Sequence, residues 1–228
     1  MTSVGTVLVT GGSSGLGAAT VEAVQKAGGR PVVLDRVAPP SGVEHEVVDL
    51  ADRTAVEAAV ASVAERYGGL DAVVTAAGID RCGTLAEVPA EEWERVIAVN
   101  LLGTVSVVRA ALPYLERSRG RVVTVASTLG VKAVSDATAY CASKFGVVGF
   151  TRALTAELKG RVGVTLLVPG GMHTAFFDDR TEQYRPGPDA KLNRPEDVAA
   201  TILMALTQPD GCEIRELVVT SSEESSWP

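Results

Sequence analysis

Aromatic residues are scarce in this sequence: two Trp, four Tyr and four Phe among 228 residues. A core without them has to be filled by small and branched aliphatic side chains, and Ala, Val and Leu supply most of the 46% that is hydrophobic. That profile fits buried parallel strands covered by Ala-rich helices. Cysteine is rare too. Cys82, Cys141 and Cys212 lie far apart, match no metal-ligand spacing and cannot form an even set of bridges. Reduced thiols in a cytoplasmic protein, with no metal, are therefore expected. Positive charge is in the minority, 21 Lys and Arg against 28 Asp and Glu, for a formal charge of −7. This argues against a nucleic-acid partner, and no Lys/Arg run suits a membrane surface. Long apolar runs are also missing: residues 162–177 carry no full charge but are too short to span a bilayer and are interrupted by Pro169-Gly170-Gly171. The first five residues have neither a basic nor an apolar leader pattern, so no signal peptide is expected.

What is present is an alternation of short Val-rich runs with longer amphipathic ones. Residues 6–10, 31–35, 44–49, 72–76, 121–126, 162–168 and 216–220 read as strands. Residues 15–27, 52–67, 90–117, 136–158 and 195–206 read as helices, with Asp52 as an N-cap and a break near Asn100. Alternation of this kind implies right-handed crossovers and a Rossmann-like, doubly wound parallel sheet in a three-layer α/β/α arrangement. Residues 1–220 form one expected domain, and residues 221–228 an expected frayed polar tail.

Between the first strand and the first helix stands Thr10-Gly11-Gly12-Ser13-Ser14-Gly15-Leu16-Gly17. Glycines there permit a tight turn and a close backbone approach, and the helix N-terminus offers free N–H groups to a diphosphate. The spacing departs from GxGxxG, and glycines also serve plain turns, so the strand-turn-helix context carries the inference. Gly11, Ser13, Ser14, Gly15 and Leu16 are the expected cradle. Asp35, ending the second strand, can accept hydrogen bonds from ribose hydroxyls and would repel a 2′-phosphate, whereas Arg36 could pair with one. Asp49 and Leu50 are placed to receive an adenine.

Tyr140 and Lys144 stand at i and i+4 and share a helix face. One ammonium at about 4 Å supplies roughly 4 kcal/mol, enough to bring a phenol from about pKa 10 toward neutrality. The phenolate would act as base and the phenol as acid. Alone, such a pair is as readily a solvated helix face. Ser127, 13 residues upstream, follows a strand, and strand carboxyl ends are where doubly wound sheets bind ligands. Its hydroxyl could polarise a carbonyl. Asn100 reads equally well as a helix break or a satisfied core amide.

Together these residues resemble the short-chain dehydrogenase/reductase family over residues 6–219. Thr10, Gly11, Gly15 and Gly17 are similar to its TGxxxGxG turn, and Asn100, Ser127, Tyr140 and Lys144 to its catalytic tetrad. The resemblance implies that Asn100 holds a helix bend in a proton relay through Lys144, and that Ala76, Ala77 and Gly78 lie near the cofactor ribose. Pro169, Gly170, Met172 and Thr174 resemble its PGxxxT segment, which implies contacts to the nicotinamide carboxamide. It further implies a homotetramer or homodimer built on the two long helices. Three departures stand out. Thr75-Ala76-Ala77-Gly78 replaces Asn-Asn-Ala-Gly, the lid at residues 175–193 is short, and the glycine-rich C-terminus is absent. The expected activity is hydride transfer between NAD, with NADP the alternative, and the carbonyl or secondary alcohol of a small molecule. An NADPH-dependent ketoreductase and a non-catalytic nucleotide sensor are the competing readings. The four acids of the lid predict a segment that is mobile without ligand.

Overall fold

The computed structural model of the chain describes residues 4–39 and 42–227. Its strands are β1 (Thr6–Thr10), β2 (Arg30–Asp35), β3 (Glu44–Val47), β4 (Ala72–Thr75), β5 (Arg121–Val125), β6 (Gly163–Pro169) and β7 (Glu216–Val219). They form one parallel sheet in the order β3-β2-β1-β4-β5-β6-β7. The strand order reverses between β1 and β4, and a crevice opens there at the carboxyl edge, as sheets of this topology require. The Rossmann-like, three-layer expectation is what the chain adopts.

Alternation along each strand explains the layers, because successive side chains point to opposite faces. On one face Leu8, Val32, Leu34 and Val73 are fully buried beneath α2 (Arg53–Tyr67), α4 (Thr104–Ser118) and α5 (Thr138–Glu157). On the other, Val7, Val9, Val33 and Val74 are buried beneath α1 (Gly15–Lys26) and α6 (Pro195–Leu206). Asp52 caps α2 as expected, its carboxylate accepting from the Ala55 N–H at 3.0 Å.

Two helix boundaries differ from the sequence expectation. The helix expected over 136–158 begins at Thr138, because Asp136 adopts a left-handed φ of 58° that no α-helix accommodates. The helix expected over 90–117 is continuous but changes gauge. It runs as α3 (Ala90–Ile97), a six-residue π-helical turn (Ala98–Gly103) and α4. The expected break at Asn100 is therefore a widening of the helix, a form often met at functional sites. By length and composition the run Ala90–Ser118 would also suit a membrane crossing. Its inner face, with Val107, Val108, Ala111 and Leu115 buried in the core beneath the sheet, is that of a core helix.

Asn100 joins this turn to the loop after β4. Its amide donates to the Ile79 carbonyl at 2.8 Å and to Ser143 Oγ at 3.0 Å, and its Oδ1 accepts from the Ile79 N–H at 2.8 Å. Replacing the amide leaves the Ile79 backbone without these partners. We expect Asn100→Ala to lose about 2–3 kcal/mol of stability in urea denaturation followed by circular dichroism. A loss below about 0.5 kcal/mol would show that the amide does not brace the loop.

Candidate active site

The crevice at the carboxyl ends of β1, β4, β5 and β6 holds a cavity of about 520 Å³. One end is built by the turn after β1. Gly11 has φ 69°, and a Cβ there would lie 2.7 Å from Ala77 Cα, so only glycine lets the two loops approach. Ser14 is the N-cap of α1 but makes no side-chain cap, and no acid occupies the first turn. The helix N-terminus thus faces the cavity with its N–H groups uncapped by side chains, the arrangement that binds phosphate. Gly11, Ser14, Gly15 and Leu16 line the cavity. Ser13 does not: its N–H donates to Asp35 Oδ2 at 3.0 Å and its hydroxyl to the Val37 carbonyl at 2.7 Å, which locks the turn onto β2. Ser13 thereby braces the cradle against β2.

Asp35, Arg36, Asp49 and Leu50 line the same end. Asp35 Oδ1 also accepts from the Arg36 N–H at 2.7 Å, so the carboxylate is fixed in orientation. Arg95, which the sequence reading missed, comes in from α3 and donates to Asp49 Oδ2 at 2.6 Å. Burial opposes ionisation of Asp49, but the Ala51 N–H and Arg95 outweigh it and hold the carboxyl below its ordinary range. No spacing in the sequence links residues 49 and 95; only the packing of α3 beside the sheet joins them. Ala76, Ala77 and Gly78 follow β4 along the cavity floor. A residue with a Cβ at Gly78 would come within 3.5 Å of Lys144 Nζ and 3.7 Å of Asn100 Oδ1, so the glycine keeps open space beside both. This uncapped helix end, the glycine-lined floor and the carboxylate at the far end fit a dinucleotide.

At the other end the expected catalytic residues converge. Ser127 follows β5 and caps a short 3-10 turn (Thr128–Gly130), accepting from the Leu129 N–H at 3.1 Å. Tyr140 and Lys144 sit on one face of α5, and all three line the cavity. Lys144 Nζ lies 5.6 Å from the Tyr140 ring centre and donates to the Val125 carbonyl at 2.9 Å. Asn100 does not line the cavity; it lies fully buried behind it. The electrostatics differ from the sequence expectation of a phenol drawn toward neutrality. Burial pushes Tyr140 up to about 12, offset in part by a hydrogen bond with Ser127. Burial likewise pushes Lys144 down to about 8. Desolvation of both groups outweighs their neighbourhood, because both are largely buried.

The lid and the tail complete this end. Pro169, Gly170, Met172 and Thr174 line the cavity, and Thr174 Oγ1 accepts from the Phe176 N–H at 3.4 Å. His173 is exposed. Within residues 175–193, Phe176 packs on Tyr140 with ring centres 5.7 Å apart. Arg180, another residue the sequence reading missed, donates to Asp80 Oδ2 at 2.6 Å and lies over the Phe176 and Phe177 rings. The expected frayed tail is instead docked across its described residues. Glu224 Oε2 accepts from the Gly171 N–H at 3.0 Å, the Ser226 and Thr128 hydroxyls are 2.6 Å apart, and Lys132 Nζ donates to the Ser225 carbonyl at 2.9 Å. Its polarity suggested fraying; in the fold that same polarity finds partners in the Gly171 backbone and in the Thr128 and Lys132 side chains.

These features fit a dinucleotide site on a doubly wound sheet, and comparisons with known proteins supply the family. The sequence profile described as short chain dehydrogenase matches residues 5–185, and the chain belongs to that family. An uncharacterized oxidoreductase of Staphylococcus aureus (strain MW2) is 33% identical over 224 residues, 93% of this chain and 95% of the relative. The 3-oxoacyl-acyl-carrier-protein reductase FabG of Thermotoga maritima is 33% identical over 86% of this chain and 87% of its own length. Among solved structures, an alcohol dehydrogenase of Thermococcus sibiricus complexed with 5-hydroxy-NADP superposes with a TM-score of 0.82 at 26% identity, covering 94% of this chain and 95% of that one. The ligand-free aldohexose dehydrogenase of Thermoplasma acidophilum shares the fold with a TM-score of 0.83 at 24% identity, over 94% and 92% of the two chains. The protein is an oxidoreductase of this family.

The depressed Lys144 has a consequence for stability. Its pKa is near 8 in the fold and 10.5 in the unfolded chain, so above pH 8 the unfolded chain holds a proton the folded one has released. The cost of burying the ammonium is present below pH 8 and fades as pH rises toward 10.5. In cofactor-free protein, wild type should gain about 2 kcal/mol relative to Lys144→Met between about pH 7.5 and about pH 9.5. Urea denaturation at both pH values measures it, and a falling or flat difference would show that Lys144 stays charged.

Proposed function

We propose that this protein transfers a hydride between NAD and the carbonyl or secondary alcohol of a small molecule, with Tyr140 as the proton-transferring residue. The observation that carries this reading is the convergence of Ser127, Tyr140 and Lys144 on one cavity with the phosphate cradle at its other end. A nicotinamide bound there supplies or accepts the hydride. Pro169, Gly170, Met172 and Thr174 orient it. Ser127 holds the substrate oxygen. Burial keeps the Tyr140 phenol protonated, the form that gives a proton to the substrate oxygen during reduction. Oxidation needs the phenolate, which the charge of Lys144 and of an oxidised ring would favour together. Lys144 passes protons onward along the open space beside Gly78, with Asn100 holding the loop that bounds it. The free thiols Cys82, Cys141 and Cys212 support a cytoplasmic setting. Exposed Leu102 and Phe145, on the long-helix surface, support assembly into a homodimer or homotetramer.

Tyr140→Phe tests the chemistry. It should bind NADH like wild type by fluorescence titration and lose at least about 10³-fold in kcat, the upper part of what acid-base catalysis contributes. Near-wild-type turnover would sink the mechanism, and a wild type that binds NADH but oxidises and reduces nothing would favour the nucleotide sensor.

Cofactor choice rests on Asp35. A 2′-phosphate within about 4 Å of that carboxylate costs roughly 4 kcal/mol per unit charge pair at an effective dielectric near 20. Ribose hydroxyls instead gain charge-assisted bonds worth about 1.5–3 kcal/mol each. Arg36 favours NADP, but Arg95 is engaged by Asp49, so Arg36 acts unaided. We expect kcat/KM for NAD to exceed that for NADP by at least about tenfold, and Asp35→Ala to narrow or invert the ratio. Equal or better efficiency with NADP in the wild type would establish the NADPH-dependent reading.

A further inference from the structure

The docked tail puts a carboxylate into the substrate end of the cavity. Glu224 and Ser226 line it together with Ser127 and Tyr140. Glu224 sits against the start of the loop after β6, and a Cβ at Gly170 would collide with its Oε2. The adjoining Gly171 supplies the N–H that holds this oxygen at 3.0 Å. The Gly170-Gly171 pair therefore makes both the room and the anchor for the carboxylate. On the other side, Ser226 fixes Glu224 Oε1 through its N–H at 3.1 Å and its hydroxyl at 2.6 Å. That hydroxyl meets Thr128, the residue after Ser127. The carboxylate is thus tied to the two strand ends between which the substrate oxygen would be held.

Its chemistry is that of an acceptor. Burial opposes ionisation, but the bonds from Ser226 and Gly171 outweigh it and keep Glu224 below the ordinary carboxylate range, so it is charged at neutral pH. Oε2 takes one bond from Gly171 and, with its second lone pair, can take another from a ligand. On the lid, Arg180 lines the same cavity, but its Nε is shut off from solvent and has no acceptor among the described residues. Arg180 does not make the site attractive to anions, because Asp80 neutralises it at 2.6 Å. Phe176 and Phe177 supply apolar walls beside this pair.

We propose that Glu224 is a specificity-determining residue that selects hydroxylated substrates, with a vicinal diol or α-hydroxyketone as the chemical class, and rejects carboxylates. A hydroxyl next to the reacting carbon donates to Glu224 Oε2, and the carbon skeleton rests on the phenylalanines. A substrate carboxylate in the same place meets an uncompensated negative charge. The inference rests on the hydride-transfer reading and deepens it.

The test compares wild type, Glu224→Ala and Glu224→Gln, with the exposed Glu223→Ala as a control on the same tail. Each is assayed with NAD on a matched set: 2-butanol, 2,3-butanediol and 3-hydroxybutyrate. Wild type should prefer the diol over the monoalcohol in kcat/KM and use the hydroxyacid worst. Glu224→Ala should cut the diol-to-monoalcohol ratio at least tenfold, mainly through KM of the diol, and raise relative use of the hydroxyacid. Glu224→Gln should also improve the hydroxyacid, because it removes the charge, while keeping part of the diol preference through its amide oxygen. Glu223→Ala should keep the wild-type ratios. Unchanged ratios in Glu224→Ala overturn this inference alone. So does a variant ending at Val219 that gains equally on all three substrates, since the tail would then merely obstruct the cavity. Failure of wild type to oxidise any of the three overturns the hydride-transfer reading as well.

Discussion

Burial of the sheet on both faces is the constraint on which the rest of this protein depends. Every side chain of β1 and β4 is buried, and the layers above and below them are aliphatic. Such an interior has almost no capacity to hold a charge, so the polar groups that do chemistry collect where the strands end. There the reversal of strand order between β1 and β4 parts the connecting loops and leaves a crevice. The glycine turn after β1, Gly78 after β4, Ser127 after β5 and the Pro169–Gly170 turn at the end of β6 all reach the cavity for this one topological reason.

Burial also sets the character of the proton-transfer groups. Lys144 Nζ lies 5.6 Å from the Tyr140 ring centre, yet each group is governed first by its separation from water. A buried ammonium and a buried phenol both drift toward their neutral forms. The Val125 carbonyl that accepts from Lys144 holds the amine in place without adding a compensating charge. Both groups thus resist ionisation, and a positive charge brought close would favour the Tyr140 phenolate while further disfavouring the Lys144 ammonium.

The lid and tail close the substrate end by different means. The lid is held through the Arg180–Asp80 pair and the stacking of Arg180 on two phenylalanines, an arrangement strengthened by partial burial. The tail is held through backbone donors and hydroxyls, and Trp227 at its end stays partly exposed. Both are short and polar, and both take their order from the sheet edge they cover.

Much of this protein was legible in its sequence because the relevant signals are local. Short Val-rich runs marked the strands, Asp52 marked a helix start, and the glycine turn and the Tyr140–Lys144 spacing each fall within a few consecutive residues of one element. Those patterns determined the layer order, the cradle and the face of α5 that meets the cavity. Contacts between distant parts of the chain were not legible. Nothing in the composition around Arg95, Arg180 or Glu224 distinguishes them from surface charges, and only the folding of α3 toward the loop after β3, of the lid onto the loop after β4, and of the tail onto Gly171 gives them partners. The pKa shifts of Tyr140 and Lys144 belong to the same category, since desolvation is a property of everything packed around a group rather than of its neighbours in the chain. Sequence determines which chemistry can be brought to the edge of the sheet; tertiary packing decides how dry that edge is and which charges face it.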